Sequence, residues 1–148
     1  MGVAALISWL ITASGGLYLL VIWLIENEAE GRGATASRLP LPVISGHALL
    51  AVGGLGTWIG YLVTKRASLA WGSVAILGAV AALGVIMAFR WIRVYRAPAL
   101  AGERARAMDP LTMPAERNFP LFVVLAHGLL AVTTVGLVLL AALGVGES

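Results

Sequence analysis

The chain has no cysteine. Disulfides, thiolate metal sites, iron–sulfur clusters and covalent c-type haem attachment are therefore excluded. Charge is almost as scarce. Asp, Glu, Lys and Arg make up 11% of the 148 residues, where a soluble domain carries roughly 25%. A surface that poor in charge does not keep a chain of this length in water, so a lipid bilayer is the expected solvent. The sequence also lacks a Ser-His-Asp set, paired carboxylates inside apolar runs, a P-loop and a dinucleotide fingerprint. Hydrolysis and phosphoryl transfer have no residues to perform them, and nothing marks the chain as an enzyme acting on its own.

What the sequence does hold is long apolar runs. A helix needs about 20 apolar residues to cross a bilayer. Four stretches qualify, from about Val3 to Ile25, Val43 to Thr64, Leu69 to Trp91 and Phe119 to Gly144. Arg90, at the edge of the third, is the one Asp, Glu, Lys or Arg inside them. The runs are continuous rather than alternating, which indicates helices and not barrel strands. The first has no Lys or Arg before it, and its apolar region is too long for a signal core, so it reads as a retained span. The expected fold is all-α: a four-transmembrane-helix bundle, up-down-up-down, forming a single integral membrane domain over residues 1–148.

Basic residues set the orientation. Only Lys65 and Arg66 lie on the side shared by the termini and the second connection. Arg32 and Arg38 lie in the first connection. Arg93, Arg96, Arg104, Arg106 and Arg117 lie in the third, with Arg90 at its entrance. By the positive-inside rule, loops 26–42 and 92–118 are cytoplasmic and both termini face outward, in a cell membrane of the bacterial inner-membrane type. Trp71 then sits at the outer interface, and Trp23, Trp91 and Tyr95 at the inner one. Because the basic residues cluster between apolar runs, the pI near 10.0 reflects topology rather than binding to nucleic acid.

The two histidines of the chain head one repeated pattern. "HALLAVGGLG" begins at His47 and "HGLLAVTTVG" at His127, with six of ten positions identical. The matches fall near the start of spans two and four, which run in the same direction. The halves therefore read as two repeated helical hairpins. Between spans one and three, Trp9 and Trp71 can be matched and little else follows. His47 lies roughly 6 Å and His127 roughly 12 Å from the cytoplasmic ends of their spans. In a bundle with short links these spans are diagonal, and the two imidazoles are expected to face each other across its centre.

The face below each histidine is small: Ala51 and Gly54 follow His47, and Ala131 and Thr134 follow His127. Small residues either let helices approach closely, as the Gly56-x-x-x-Gly60 spacing also does, or leave room for something flat. Three readings stay open. In the first, His47 and His127 are the axial metal ligands of a b-type haem. Ala51, Gly54, Ala131 and Thr134 then make space for the ring, and Arg90, Arg93 and Arg117 pair with its propionates. In the second, the histidines only pack the bundle of a structural or accessory membrane protein. In the third, they mark a transport or proton pathway, although no Asp, Glu or Lys in the spans continues one. The layout resembles that of small four-helix membrane cytochromes and of the haem-bearing anchors of respiratory dehydrogenases. That resemblance implies electron transfer to a quinone or a redox partner subunit. It does not set the oligomeric state.

Other groups read more simply. Glu26, Glu28 and Glu30 are expected in a solvated loop. Arg90, Arg93 and Arg96 share one side of a helix extending from span three, beside lipid headgroups. Met87 reads as packing, and Thr12, Ser14, Ser73, Thr133 and Thr134 as interhelical hydrogen bonders.

Overall fold

The computed structural model describes residues 1–29, 39–101 and 119–146. Among them it has four helices: α1 (Gly2–Ala29), α2 (Leu41–Thr64), α3 (Ala67–Ala101) and α4 (Leu121–Ala142). All four are long and apolar enough to cross a membrane. α2 and α4 each start on an extended proline, Pro40 and Pro120, whose fixed φ suits a helix entry. The α2–α3 link is only Lys65 and Arg66. Lys65 takes the left-handed conformation at φ 57° and donates its N–H to the Tyr61 carbonyl, which ends α2.

Two helices outrun their apolar stretches. α1 continues past Ile25 to Ala29, so Glu26 and Glu28 extend a helix instead of opening a loop. α3 continues through Arg90, Arg93 and Arg96 to Ala101. Ala, Glu and Arg favour helix, so loss of hydrophobicity does not itself end these helices. The 35 residues of α3 span about 52 Å, well beyond a hydrocarbon core of about 30 Å. Residues 30–38 and 102–118 of the expected loops, with Glu30, Arg32, Arg38, Arg104, Arg106 and Arg117, lie outside the described residues, while Leu41 and Pro42 already belong to α2.

Neighbours around the bundle run α1, α2, α3, α4 and back to α1. The pairs α2–α3 and α1–α4 pack most extensively, while among the described residues the backbones of the diagonals α1–α3 and α2–α4 do not approach closely. The exterior carries large apolar side chains, including Leu49, Val52, Val63, Phe122 and Leu129. The interior holds Ser8, Thr12, Ser73 and Thr134. An apolar exterior over helices of this length is that of a membrane bundle.

Buried apolar residues form two separate clusters. One, toward the Lys65 end, gathers Trp9, Trp58, Tyr61, Leu77 and Val138 with Ala5, Ala70, Val80 and Ala141. The other, toward the arginine-rich end, gathers Trp23, Leu39, Ile44, Trp91 and Phe119. His47 and His127 lie at the level between them.

Candidate functional site: the histidine pair

The histidine rings meet edge-on, with centroids 6.3 Å apart and planes at 62°. Each ring is held by the helix next to its own. His47 Nδ1–H donates to the Val80 carbonyl of α3 at 3.0 Å, and His127 Nδ1–H donates to the Thr12 carbonyl of α1 at 2.9 Å. A carbonyl carries no proton, so the ring nitrogen is the donor in both bonds. In the neutral imidazole the other nitrogen, Nε2, is then a bare lone pair.

Glycine makes these bonds reachable. A helical carbonyl already accepts from the N–H four residues on, and the side chain at that position crowds its remaining lone pair. Four residues after Thr12 stands Gly16, and four after Val80 stands Gly84. A Cβ on Gly16 would lie 2.9 Å from His127 Cε1, and one on Gly84 would lie 3.2 Å from His47 Cε1. Both glycines therefore cradle an imidazole.

These contacts give the register of the internal repeat. A shift of 80 residues takes Pro40 to Pro120, His47 to His127 and Gly54 to Thr134. A shift of 68 takes Ser8 to Ile76, Thr12 to Val80, Gly16 to Gly84 and Trp23 to Trp91. The contacts follow: Gly54 packs on Ile76 as Thr134 bonds Ser8. The expected match of Trp9 with Trp71 does not fit this register. Trp9 is 2% exposed inside the bundle and Trp71 is 48% exposed on its surface.

The small residues expected beneath the histidines have separate surroundings. At Gly54, a Cβ would meet Ile76 Cγ2 at 2.9 Å and the Trp9 ring at 3.1 Å, so the indole occupies the space that glycine leaves. Thr134 is 1% exposed. Its hydroxyl meets Ser8 Oγ at 2.8 Å and Thr12 Oγ1 at 3.1 Å, and Thr12 also donates to the Ser8 carbonyl. Ala51 and Ala131 are half-buried, with Ala51 packed against the Lys65-end cluster. Arg90 and Arg93 are exposed at the far end of α3, and Arg117 lies outside the described residues. Met87 packs against the arginine-end cluster.

Sequence reasoning passed over Gly16 and Gly84, and it placed Trp23 and Trp91 at the inner interface, where the structure buries both indoles inside the bundle. The missed signal is a glycine seven residues before a tryptophan, in "GLYLLVIW" from Gly16 and "GVIMAFRW" from Gly84. Trp91 is buried, and its indole Nε1 has no hydrogen-bond partner among the described residues. Leaving a buried donor unmade costs about 1–3 kcal/mol.

Chemically, the site offers two imidazole nitrogens free of protons, held at one level in the bundle by backbone bonds. Among the described residues, no His, Cys, Asp or Glu makes a third ligand. A single metal atom bound about 2 Å from a nitrogen of each ring, with the rings on opposite sides of it, would separate the centroids by about 6 Å, against the 6.3 Å observed. Two imidazoles at this spacing are donors of the kind that a metal with its remaining positions filled by a macrocycle would take. Comparison with protein-family models, with curated proteins and with solved structures finds no match, so the reading rests on the residues themselves.

Proposed function

We propose that the protein is a small membrane electron-transfer subunit that holds one b-type haem between His47 and His127. The observation that carries this reading is the combination of a 6.3 Å ring separation with Nδ1 bonds on both rings. A donor bond at Nδ1 is the usual outer-shell support of a metal-ligating histidine, since it fixes the tautomer and raises ligand basicity. The haem would supply a one-electron iron couple. The protein's part is to present two Nε2 lone pairs, to hold them through the Val80 and Thr12 carbonyls, and to exclude water with an apolar cluster on either side. The partner class is a quinone in the bilayer or a redox subunit docked on the bundle. The arginine-rich end faces the cytoplasm of a bacterial-type inner membrane, and both termini face outward.

The test is an optical spectrum of protein purified in detergent after expression with ample haem, first oxidised and then reduced with dithionite. A sharpened reduced α band with a shifted Soret band supports the reading. A featureless spectrum from folded protein overturns it.

A second reading draws on the same hydrogen bonds. His47 ties α2 to α3, and His127 ties α4 to α1. As interhelical pins alone, these bonds stabilise a membrane bundle by about 0.6 kcal/mol each, and the protein is then structural or accessory. Substitution separates the two. The haem reading predicts complete loss of absorption in H47A or H127A, whereas the pin reading predicts small, independent losses of stability.

A further inference from the structure

The hydrogen bonds of the two imidazoles fix more than their tautomer. A histidine side chain turns about two bonds, and each ring here is tied at both ends. Its Cβ belongs to one helix, and its Nδ1–H is held by a carbonyl of the next, Val80 for His47 and Thr12 for His127. The Cε1 edge of each ring rests on a glycine, Gly84 for His47 and Gly16 for His127. The two seats are not copies of each other. A Cβ on Gly15 would also meet His127 Nδ1 at 3.6 Å, whereas the counterpart of Gly15 under the shift of 68 is Leu83. The ring planes held in this way cross at 62°. Neither bond involves Nε2, so a metal taken there leaves the rotation of the ring set by its neighbours.

We propose that Gly16 and Gly84 are positioning residues for the haem. By seating the rings beside the Thr12 and Val80 carbonyls they keep the axial imidazoles crossed, and the crossing sets the electronic character of the iron. This inference rests on the haem reading and deepens it. The reason is orbital symmetry. The π orbital of an imidazole stands normal to its ring and raises one of the two iron d orbitals of matching symmetry. Parallel rings raise the same orbital and split the pair widely. Crossed rings act on different orbitals, and their effects oppose. At 62° the planes are nearer to crossed than to parallel, so the pair stays close in energy. Oxidised low-spin iron between such ligands has a strongly anisotropic moment. Its magnetic resonance shows one dominant low-field line, where parallel rings give three well-spread lines. Hydrogen bonding to the axial ligands is among the levers a protein has on a haem, and here α1 and α3 work that lever.

The experiment is electron paramagnetic resonance on the oxidised full chain in detergent, loaded with haem, with an optical spectrum of the same sample. The native protein is expected to give the single low-field line. G84A and G16A press a Cβ against Cε1 of His47 and of His127. Each is expected to shift that line by more than its width, while the optical bands stay those of a haem with two histidine ligands. G53A and G128A, whose added Cβ meets nothing, leave the line in place. A glycine that serves packing alone lowers the yield of folded protein and does not move the line. A three-line low-spin spectrum from the native protein overturns the proposal and spares the haem reading. An unmoved line in G84A and G16A overturns it as well. If G16A does not fold, G84A carries the test, since its added Cβ has 3.2 Å of room against 2.9 Å. Native protein that takes up no haem, or holds it high-spin, overturns the haem reading itself, and this inference with it.

Discussion

His47 and His127 bring their ring centroids to 6.3 Å, although the backbones of their helices, α2 and α4, are diagonal and do not approach closely. Side chains alone bridge the bundle at this level. Each imidazole leans on a glycine of the neighbouring helix, His127 on Gly16 and His47 on Gly84. The pair is therefore set by α1 and α3 as much as by the helices that carry it.

The first prediction concerns those glycines. Ala is favoured over Gly inside a helix by about 1 kcal/mol, so G16A and G84A would stabilise the protein if the sites were open. They are not, because the added Cβ meets His127 Cε1 at 2.9 Å and His47 Cε1 at 3.2 Å. Overpacking of this kind costs about 1–3 kcal/mol, and the shifted ring loses its Nδ1 bond. Thermal melts in detergent should show both variants less stable than the parent, G16A more so. Gly53 and Gly128 have open space around them, so G53A and G128A should be neutral or stabilising. A rise in stability for G16A would contradict the cradle.

The histidines themselves separate the two functional readings. H47A and H127A should each abolish haem absorption, because one imidazole cannot supply both axial ligands. Their effects on the spectrum should be non-additive, with the double variant no worse than either single one. If instead each variant keeps the spectrum and loses only about 0.6 kcal/mol, the histidines are pins between helices.

Thr134 gives a prediction that leaves the histidines alone. Its hydroxyl joins Ser8 and Thr12 in a buried cluster. T134V keeps the shape and leaves Ser8 Oγ without this partner, which should lower stability by about 1 kcal/mol. S8A alone should cost a similar amount, and the S8A/T134V double variant should cost less than the sum. Full additivity in denaturation of the four proteins would show that the hydroxyls are not coupled.

Much of this architecture is legible in the sequence, and the reasons are physical. A span of lipid thickness needs an uncharged run of fixed length, so the four helices stand out before any packing is known. The histidine pair is legible because both members fall in the one well-matched stretch of the repeat. The register of α1 against α4 and of α3 against α2 is not, because its acceptors are the backbone carbonyls of Thr12 and Val80. Any residue type supplies a carbonyl, so no side-chain pattern records the bond. Only the glycine beside each carbonyl leaves a trace, and Gly16 and Gly84 are lost among 18 glycines. The extra length of α3 is hidden for a different reason. Hydropathy reports where lipid ends, while helix propensity continues through the arginines to Ala101.

The last prediction tests orientation, and the absence of cysteine makes it clean. A single cysteine can be introduced without a competing thiol anywhere in the chain. Lys65 lies in the short α2–α3 link, and Arg96 is exposed near the opposite end of α3. Arg66 remains beside K65C, and Arg90 and Arg93 remain beside R96C, so neither substitution reverses the charge asymmetry that orients the spans. In intact bacterial cells, a membrane-impermeant maleimide should label K65C and spare R96C until the membrane is opened. The difference follows from the helix between them: Ala67–Arg96 is 30 residues long, about 45 Å, which exceeds the hydrocarbon core of about 30 Å. Labelling of R96C alone would invert the bundle and place the arginine-rich end outside. Labelling of both from one side would mean that α3 does not cross the bilayer, and the four-span arrangement would have to be abandoned.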